Sequence, residues 1–155
     1  MIDETLAIEV SRARTIFSIR RISVFVATRI RLLALSFALR VALVGNRDRP
    51  HKGPAELIEA AARLGDRWPI QWLLPSDGRL RGALEARARA FGVADRVCFL
   101  GRRRDVPRIL ARVDLVVHPS WSEGMPNAVL EAMAARRAVV ASAIPGCREL
   151  CEDDG

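Results

Sequence analysis

Five short apolar segments alternate with amphipathic segments between residues 40 and 142. The apolar segments are rich in valine and leucine and lack a regular alternation with polar residues, which is typical of strands buried on both faces of a sheet. They are RVALVG (40–45), PIQWLL (69–74), RVCFLG (96–101), DLVVHP (114–119) and AVVAS (138–142). The pattern therefore predicts five buried strands.

The segments between these strands carry apolar residues three to four positions apart, as amphipathic helices do. They are PAELIEAAARLG (54–65), LRGALEARARAFG (80–92), DVPRILARV (105–113) and PNAVLEAMAARR (126–137). Strand followed by helix, repeated four times, predicts an α/β fold, a Rossmann-like parallel sheet flanked by helices. Such sheets bind ligands at the carboxyl ends of their strands, so the loops after the strands are the candidate binding loops.

The first 38 residues do not share this pattern. A net charge of +7 suggests a nucleic-acid partner. However, residues 1–40 hold seven arginines against only Asp3, Glu4 and Glu9, so the net charge of the rest of the chain is close to that of an ordinary protein. The longest uncharged run there, residues 32–39, is far shorter than the roughly 20 residues of a membrane span, and the acidic start does not fit a secretory signal. We expect an unassigned, basic and apolar helical segment over 1–38 and one domain over 39–155, in a cytoplasmic protein.

The three cysteines show no paired spacing, so they indicate neither a disulfide framework nor a zinc site. No other set of residues has the spacing of metal ligands. We therefore expect a protein without a metal ion.

The loop after the fourth predicted strand has the features of an anion site. Gly124 permits a turn, and Pro126 stands near the first position of the next helix, where a missing N–H costs nothing. The backbone N–H groups of Met125, Asn127 and Ala128 would then face a ligand, and the helix dipole would favour a phosphate.

Two glutamates in the same stretch, Glu123 and Glu131, do not suit a bare anion. Carboxylates beside a phosphate are explained if the ligand also carries hydroxyl groups, as a sugar does. The hypothesis is that diphosphate binds at the helix N-terminus, a sugar at one glutamate and a ribose at the other. The alternative is a surface helix with two solvated glutamates.

The loop after the first predicted strand, VGNRDRPHKG (44–53), is basic. Gly45 and Gly53 enclose Arg47, Arg49 and Lys52 at the same edge of the sheet. Guanidinium and ammonium groups together suit the oxygens of a diphosphate and of a departing nucleoside diphosphate. An exposed basic turn is the alternative.

These loops resemble those of a known family. The segments VGNRDRPHKGPAELIEAAARL, DRVCFLGRRRDVPRILARVDLVVHPSWSEGMPNAVLEAMAARRAVVAS and PGCREL are similar, in order, to the C-terminal, nucleotide-sugar-binding half of GT-B retaining glycosyltransferases of the family 4 or group 1 type. The resemblance covers residues 40–155, and the spacing of Glu123 and Glu131 is its most specific feature.

The resemblance implies a sugar transfer from a nucleoside-diphosphate sugar, with retention, and polysaccharide biosynthesis as its setting. It implies catalytic roles for Arg47 and Lys52 on the diphosphate and for Glu123 on the transferred sugar. Further donor-binding residues implied by the family are Gly45, Leu100, Arg102, Gly124, Met125, Pro126, Asn127 and Glu131, the last at the ribose. No cofactor is implied, and no nucleic acid is expected as a partner.

The sequence departs from the family pattern in several places. Asn46 follows Gly45 where the family has arginine, so that Lys52 stands one position later than usual and Arg49 is an alternative to Arg47. Ser76 replaces a glycine, and a usual glycine pair is reduced to Gly146.

The resemblance also concerns the extent of the chain. The acceptor domain of such an enzyme would precede residue 40, and the family continues beyond residue 155. An acceptor sugar or lipid is therefore expected to contact a domain that this sequence lacks, and we expect little turnover by the 155 residues alone.

Two other functions stay open at this point. Nucleotide-sugar epimerases share the architecture, and a non-catalytic module could bind anionic lipid or RNA through the basic residues between 12 and 40. A peripheral contact with the membrane is compatible with the same segment. His118, a lone histidine at a strand end, is interpreted as structural.

Overall fold

The computed structural model describes residues 39–45, 49–75 and 77–151. Strands and helices alternate throughout. In chain order they are β1 (Leu39–Ala42), α1 (Pro54–Leu64), β2 (Ile70–Leu74), α2 (Arg81–Ala90), β3 (Val97–Phe99), α3 (Val106–Leu110), β4 (Leu115–His118), α4 (Asn127–Ala134), β5 (Ala138–Ala141) and α5 (Pro145–Cys151). Short 3-10 turns lie at Pro50–Lys52 and Gly65–Arg67. The segment 1–38 and Arg47 lie outside the described residues.

The five strands form one parallel sheet in the order β3-β2-β1-β4-β5. Val41 in the central strand pairs with Trp72 on one side and with Leu115 on the other. The chain builds outward from β1 to β3 and then returns to the other side of β1 with β4. This confirms the predicted α/β fold and places the reversal of strand order between β1 and β4.

Two apolar clusters cover the two faces of the sheet. β1 contributes to both because successive side chains of a strand point to opposite faces. Leu39, Val41 and Leu43 belong to the cluster that contains residues of α1 and α2, whereas Ala42 and Val44 belong to the cluster that contains residues of α3 and α4. The central strand is therefore buried on both sides, as its unbroken apolar sequence indicated.

Apart from β2, which ends at Leu74 as predicted, the strands end earlier than the apolar pattern predicted. The pattern predicts that the first strand extends to residue 45, but β1 ends at Ala42. Leu43 and Val44, which follow it, are nevertheless buried. Burial continues past the last paired residue, so apolar composition overstates strand length.

α4 ends at Ala134, three residues before the predicted end. Arg136 adopts φ 55°, and the N–H of Arg137 bonds to the carbonyl of Ala132 at 2.9 Å, which is the hydrogen-bond pattern of a left-handed helix cap. Such a cap usually carries glycine, so the amphipathic pattern gave no stop signal here. The last helix, α5, was not among the predicted helices.

None of the helices in the described part of the chain is long and apolar enough to cross a membrane.

Candidate functional site

A polar cluster lies at the carboxyl edge of the sheet, between the ends of β1 and β4. Lys52 follows β1 and Glu123 follows β4, and the Lys52 ammonium donates a hydrogen bond to the Glu123 carboxylate. Neighbouring strands lie about 5 Å apart, so a lysine and a glutamate from these two loops can meet. The reversal of strand order opens a crevice at this point, which is where open α/β sheets bind their ligands.

The turn directly before α1 is shaped by a proline and a glycine. Pro50 begins a 3-10 turn, and Gly53 closes it in the left-handed region (φ 73°, ψ 30°) with its N–H bonded to the carbonyl of Pro50 at 3.0 Å. A Cβ on Gly53 would overlap the carbonyl oxygen of Pro119 in the loop after β4. Glycine is required for both reasons, and Lys52 is presented to the crevice as a result.

The two loops are joined through the backbone carbonyl of His51. It accepts a hydrogen bond from the Trp121 N–H at 2.8 Å, and the Ser120 hydroxyl oxygen lies 2.9 Å from it. Ser120 is fully buried. These contacts fix the distance between the loop that carries Lys52 and the loop that carries Glu123.

Within the described part of the chain, Glu123 is contacted by polar groups at one oxygen, Oε1. Besides Lys52, the Ser120 hydroxyl lies 2.7 Å from that atom and His118 Nε2 lies 3.2 Å from it. Burial on its own raises the pKa of Glu123, but the hydrogen bonds from Lys52 and Ser120 outweigh it and leave the pKa below the ordinary 4.5. Glu123 is therefore ionised at neutral pH.

His118, the last residue of β4, is 2% exposed. Burial lowers its pKa below the ordinary 6.5, while attraction to Glu123 opposes the shift and repulsion from Lys52 adds to it. The imidazole is therefore neutral at pH 7. Its Nε2 faces Glu123 at 3.2 Å without meeting hydrogen-bond geometry, and it has no other hydrogen-bond partner among the described residues.

The segment after β5 also contacts the cluster. The Ser142 N–H bonds to the carbonyl of His118 at 3.0 Å. A Cβ on Gly146 would lie 2.5 Å from the carbonyl oxygen of Gly124 and 3.0 Å from that of Glu123. The backbone of α5 thus packs directly against the Glu123–Gly124 peptide, and only glycine leaves room for it.

The structure brings some of the sequence-predicted site residues together. Lys52 and Glu123 are in contact, and a Cβ built on Gly45 would lie 3.9 Å from the Lys52 side chain. Gly124 and Met125 lie in the same loop as Glu123, with the Met125 side chain 63% exposed.

The start of α4 differs in detail from the prediction. Pro126 is the N-cap residue and Asn127 the first helical residue. The N–H of Asn127 donates to the carbonyl of Met125 at 3.0 Å. This donor is therefore already used within the loop, contrary to the prediction that it faces a ligand. The proline forces a tight turn that brings the two groups together.

The remaining predicted residues stand further from the cluster. Glu131 is the fifth residue of α4 and is exposed, about 6 Å along the helix axis from Asn127 at 1.5 Å per residue. Leu100 and Arg102 follow β3, which is separated from β1 by β2, a distance on the order of 10 Å. Both are exposed, so the predicted site residues are spread along the carboxyl edge of the sheet.

Ser120 is the site residue that the sequence analysis missed. It lies one residue beyond the predicted fourth strand, and a serine in a loop carries no distinctive spacing. The signal in the sequence was its position between His118 and Glu123, two residues whose side chains lie close to each other in the structure.

The fold and this cluster define a Rossmann-like α/β protein with a charged, partly buried site at the reversal of strand order. The sequence model of the family described as "Glycosyl transferases group 1" matches residues 38–155. The chain belongs to the group 1 glycosyltransferase family, which confirms the resemblance described above.

Individual relatives agree with this assignment. The D-inositol 3-phosphate glycosyltransferase of Mycobacterium sp. strain KMS is 39% identical over 110 residues, which are 68% of this chain and 25% of that protein. The chain spans about a quarter of the length of the curated relatives it matches.

Solved structures give the same picture. Anabaena HepE, crystallised with UDP and glucose, matches with a TM-score of 0.69 and 28% identity over 83% of this chain and 36% of that one. The C-terminal domain of the group 1 glycosyltransferase LpcC from Francisella tularensis matches with a TM-score of 0.62 and 26% identity, covering 75% of this chain and 64% of that one.

Proposed function

We propose that this chain is the donor-binding part of a glycosyltransferase that moves a sugar, with retention, from a nucleoside-diphosphate sugar to an acceptor. The observation that carries the proposal is the contact between Lys52 and Glu123 across the point where the strand order reverses. The family match and the UDP complex of Anabaena HepE support a nucleotide sugar as the ligand.

Lys52 is suited to the donor diphosphate even while it contacts Glu123. An ammonium group has three N–H donors, and one bond to Glu123 leaves two for phosphate oxygens. The side chain is 19% exposed, so the ammonium is accessible from the crevice. Arg47, which lies outside the described residues, and Gly45 complete the proposed diphosphate site. Positive charge here stabilises the departing nucleoside diphosphate.

Glu123 is the proposed contact of the transferred sugar. It is ionised at neutral pH and therefore accepts hydrogen bonds from sugar hydroxyls. Glu131, further along α4, is the proposed contact of the ribose. The backbone of residues 124–127 lies between the two carboxylates and is the proposed lining of the sugar and phosphate site, with Leu100 and Arg102 near the base.

The acceptor is proposed to contact residues beyond those described. The similarity to the C-terminal domain of LpcC supports a role as one half of a two-domain enzyme, with the acceptor, a sugar or a lipid, held by the other half. We further propose a cytoplasmic location with peripheral contact to the membrane, and donor binding without a metal ion or cofactor.

Calorimetric titration with UDP-, GDP- and ADP-sugars tests the proposal. We expect one nucleotide to bind, in EDTA as well as in buffer, and Lys52→Met to weaken binding at least about 10-fold because charge-assisted bonds to phosphate are lost. Glu131→Ala should also weaken it. Arg103→Gln and Glu85→Ala are the matched controls, since their side chains pair with Asp105 and Arg81 instead.

No binding of any nucleotide sugar, or equal binding by Lys52→Met and the wild-type chain, would refute the proposal. Binding that falls steeply with salt and survives the loss of Glu131 would instead indicate the basic module that the sequence analysis left open.

A further inference from the structure

Glu123 engages its protein partners through a single oxygen. Lys52, Ser120 and His118 all face Oε1, and none of the hydrogen bonds within the described residues ends at Oε2. A carboxylate has about four acceptor positions shared between its two oxygens. One oxygen is therefore committed to the protein, and the acceptor positions of the other are left for a ligand.

The Ser120 hydroxyl has one proton and three acceptors within reach. They are Glu123 Oε1 at 2.7 Å, the His51 carbonyl at 2.9 Å and the Ser122 carbonyl at 3.3 Å. A bond to an ionised acceptor is stronger than one to a neutral carbonyl, so the proton belongs to Glu123. The His51 carbonyl keeps the Trp121 N–H as its donor. Ser120 is thus free to hold the carboxylate.

His118 lies on the protein side of the same oxygen. Its imidazole is buried, and its Nε2 has no hydrogen-bond partner among the described residues although Oε1 lies 3.2 Å away. Of the charged groups around the imidazole, Glu123 attracts and Lys52 repels a proton on it. A neutral ring with its proton on Nε2 places the positive end of the N–H beside the carboxylate and attracts Oε1 electrostatically.

We propose that Ser120 and His118 are positioning residues that hold Oε1 of Glu123 inside the protein and so direct Oε2 to the sugar of the donor. This inference rests on the proposed function, because it assigns the sugar to Glu123. Neither residue touches the ligand. Both act through the orientation of the carboxylate, so their loss should affect the sugar and spare the nucleotide.

The experiment compares UDP-glucose with UDP by calorimetry, or the GDP or ADP pair if the titration above selects that base. The ratio of the two dissociation constants isolates the contribution of the sugar. Ser120→Ala and His118→Leu should each reduce that ratio about 5- to 10-fold and change the affinity for UDP less than about 2-fold, because each loosens the carboxylate without removing its own bond to the sugar.

Two further variants separate positioning from packing. His118→Gln keeps an N–H donor without a titrating ring, so it should bind like the wild-type chain at pH 7.5. Ser142→Ala removes another buried serine hydroxyl, beside the backbone of His118, and should leave the ratio unchanged. Equal ratios for all variants, or an equal loss of UDP and UDP-glucose affinity in Ser120→Ala, would overturn the proposal.

A measurement without ligand keeps the two proposals distinct. The carboxyl ¹³C shift of Glu123 followed against pH should give a higher pKa in Ser120→Ala than in the wild-type chain, since a donor to the ionised form is lost. A shifted Glu123 titration in a chain that binds no nucleotide sugar refutes the proposed function and retains Ser120 as a partner of Oε1. An unshifted titration refutes the positioning role itself.

Discussion

The two pairs of loops at the carboxyl edge of the sheet differ in how they hold their charges. The inner loop pair, residues 49–53 and 119–124, buries Glu123 beside Lys52 and joins its loops through the carbonyl of His51. The outer loop pair, residues 77–80 and 100–105, carries its charges in solvent. Arg103 and Asp105 form two hydrogen bonds of 2.8 Å within one turn, and their side chains are 43% and 34% exposed.

The difference shows which charges are fixed before a ligand arrives. An exposed pair of neighbouring residues is screened by water and contributes little to stability, whereas a partly buried pair is held by the fold. The charges of the inner loop pair are therefore preorganised by the fold, whereas those of the outer loop pair are free to rearrange.

The largest effect is expected from Gly53, where the inner loops touch. Gly53→Ala forces an alanine into the left-handed region and drives its Cβ against Pro119, so we expect a loss of about 2–5 kcal/mol in the free energy of unfolding. Urea denaturation measures it. The control is Gly82→Ala, a helical glycine with open space around it, which should gain about 0.5–1 kcal/mol. Similar stabilities for the two variants would contradict the close contact.

The next effect tests the charge pair of the inner loops. Lys52→Met removes the cation beside a carboxylate whose side chain is 7% exposed, and the free energy of unfolding at pH 7 should fall by about 1–3 kcal/mol. The same variant combined with Glu123→Gln should lose less than the sum of the two single changes. Arg103→Gln in the outer loops should leave the urea midpoint unchanged, and a comparable loss there would remove the distinction between the two regions.

As the pH falls, the free energy of unfolding should decrease first through protonation of His118 and then through protonation of Glu123. The pKa of folded His118 lies below 6.5, so the unfolded chain binds a proton first and stability falls as pH drops below about 6.5. The pKa of Glu123 is also lowered, so its contribution is present above 4.5 and is lost at more acidic pH. Melting temperatures from pH 7.5 to 4 measure both, and His118→Gln should flatten the upper part of the curve only.

The smallest effect concerns Glu56, in the first turn of α1 behind the inner loops. Burial raises its pKa above 4.5, and its Oε2 has no hydrogen-bond partner among the described residues. Glu56→Gln should therefore raise the free energy of unfolding at pH 7, by less than about 1 kcal/mol because solvent screens a half-buried group. A loss of stability would mean that this acid is held by a favourable contact.

Much of the fold could be predicted because it depends on local pattern. The five strands and four of the helices follow from runs of valine and leucine and from three-to-four spacing, and the parallel order follows from their alternation. The end of α4 could not be predicted, because the residue in the left-handed cap is an arginine, Arg136. The local sequence does not distinguish it from a helical residue.

The candidate site likewise has residues that could be predicted from the sequence and residues that could not. Lys52 and Glu123 were predicted from their position after strands, and the structure places them in contact. The bond from Ser120 to Glu123 is local but depends on the conformation of the loop that carries both residues. The space requirements of Gly53 and Gly146 depend on backbone atoms of Pro119 and Gly124, which lie far from them in the sequence. Such contacts leave no periodic trace in the sequence, so they become visible only once the sheet has brought the loops together.

The inner loops are joined by a hydrogen bond to the backbone carbonyl oxygen of residue 51. Any amino acid that fits the 3-10 turn supplies that oxygen, so the imidazole of His51 is not what keeps the loops in register. Evolution can therefore vary residue 51 to suit different donors without loosening the frame around it. Relatives with other side chains at this position should retain the same spacing between their lysine and glutamate.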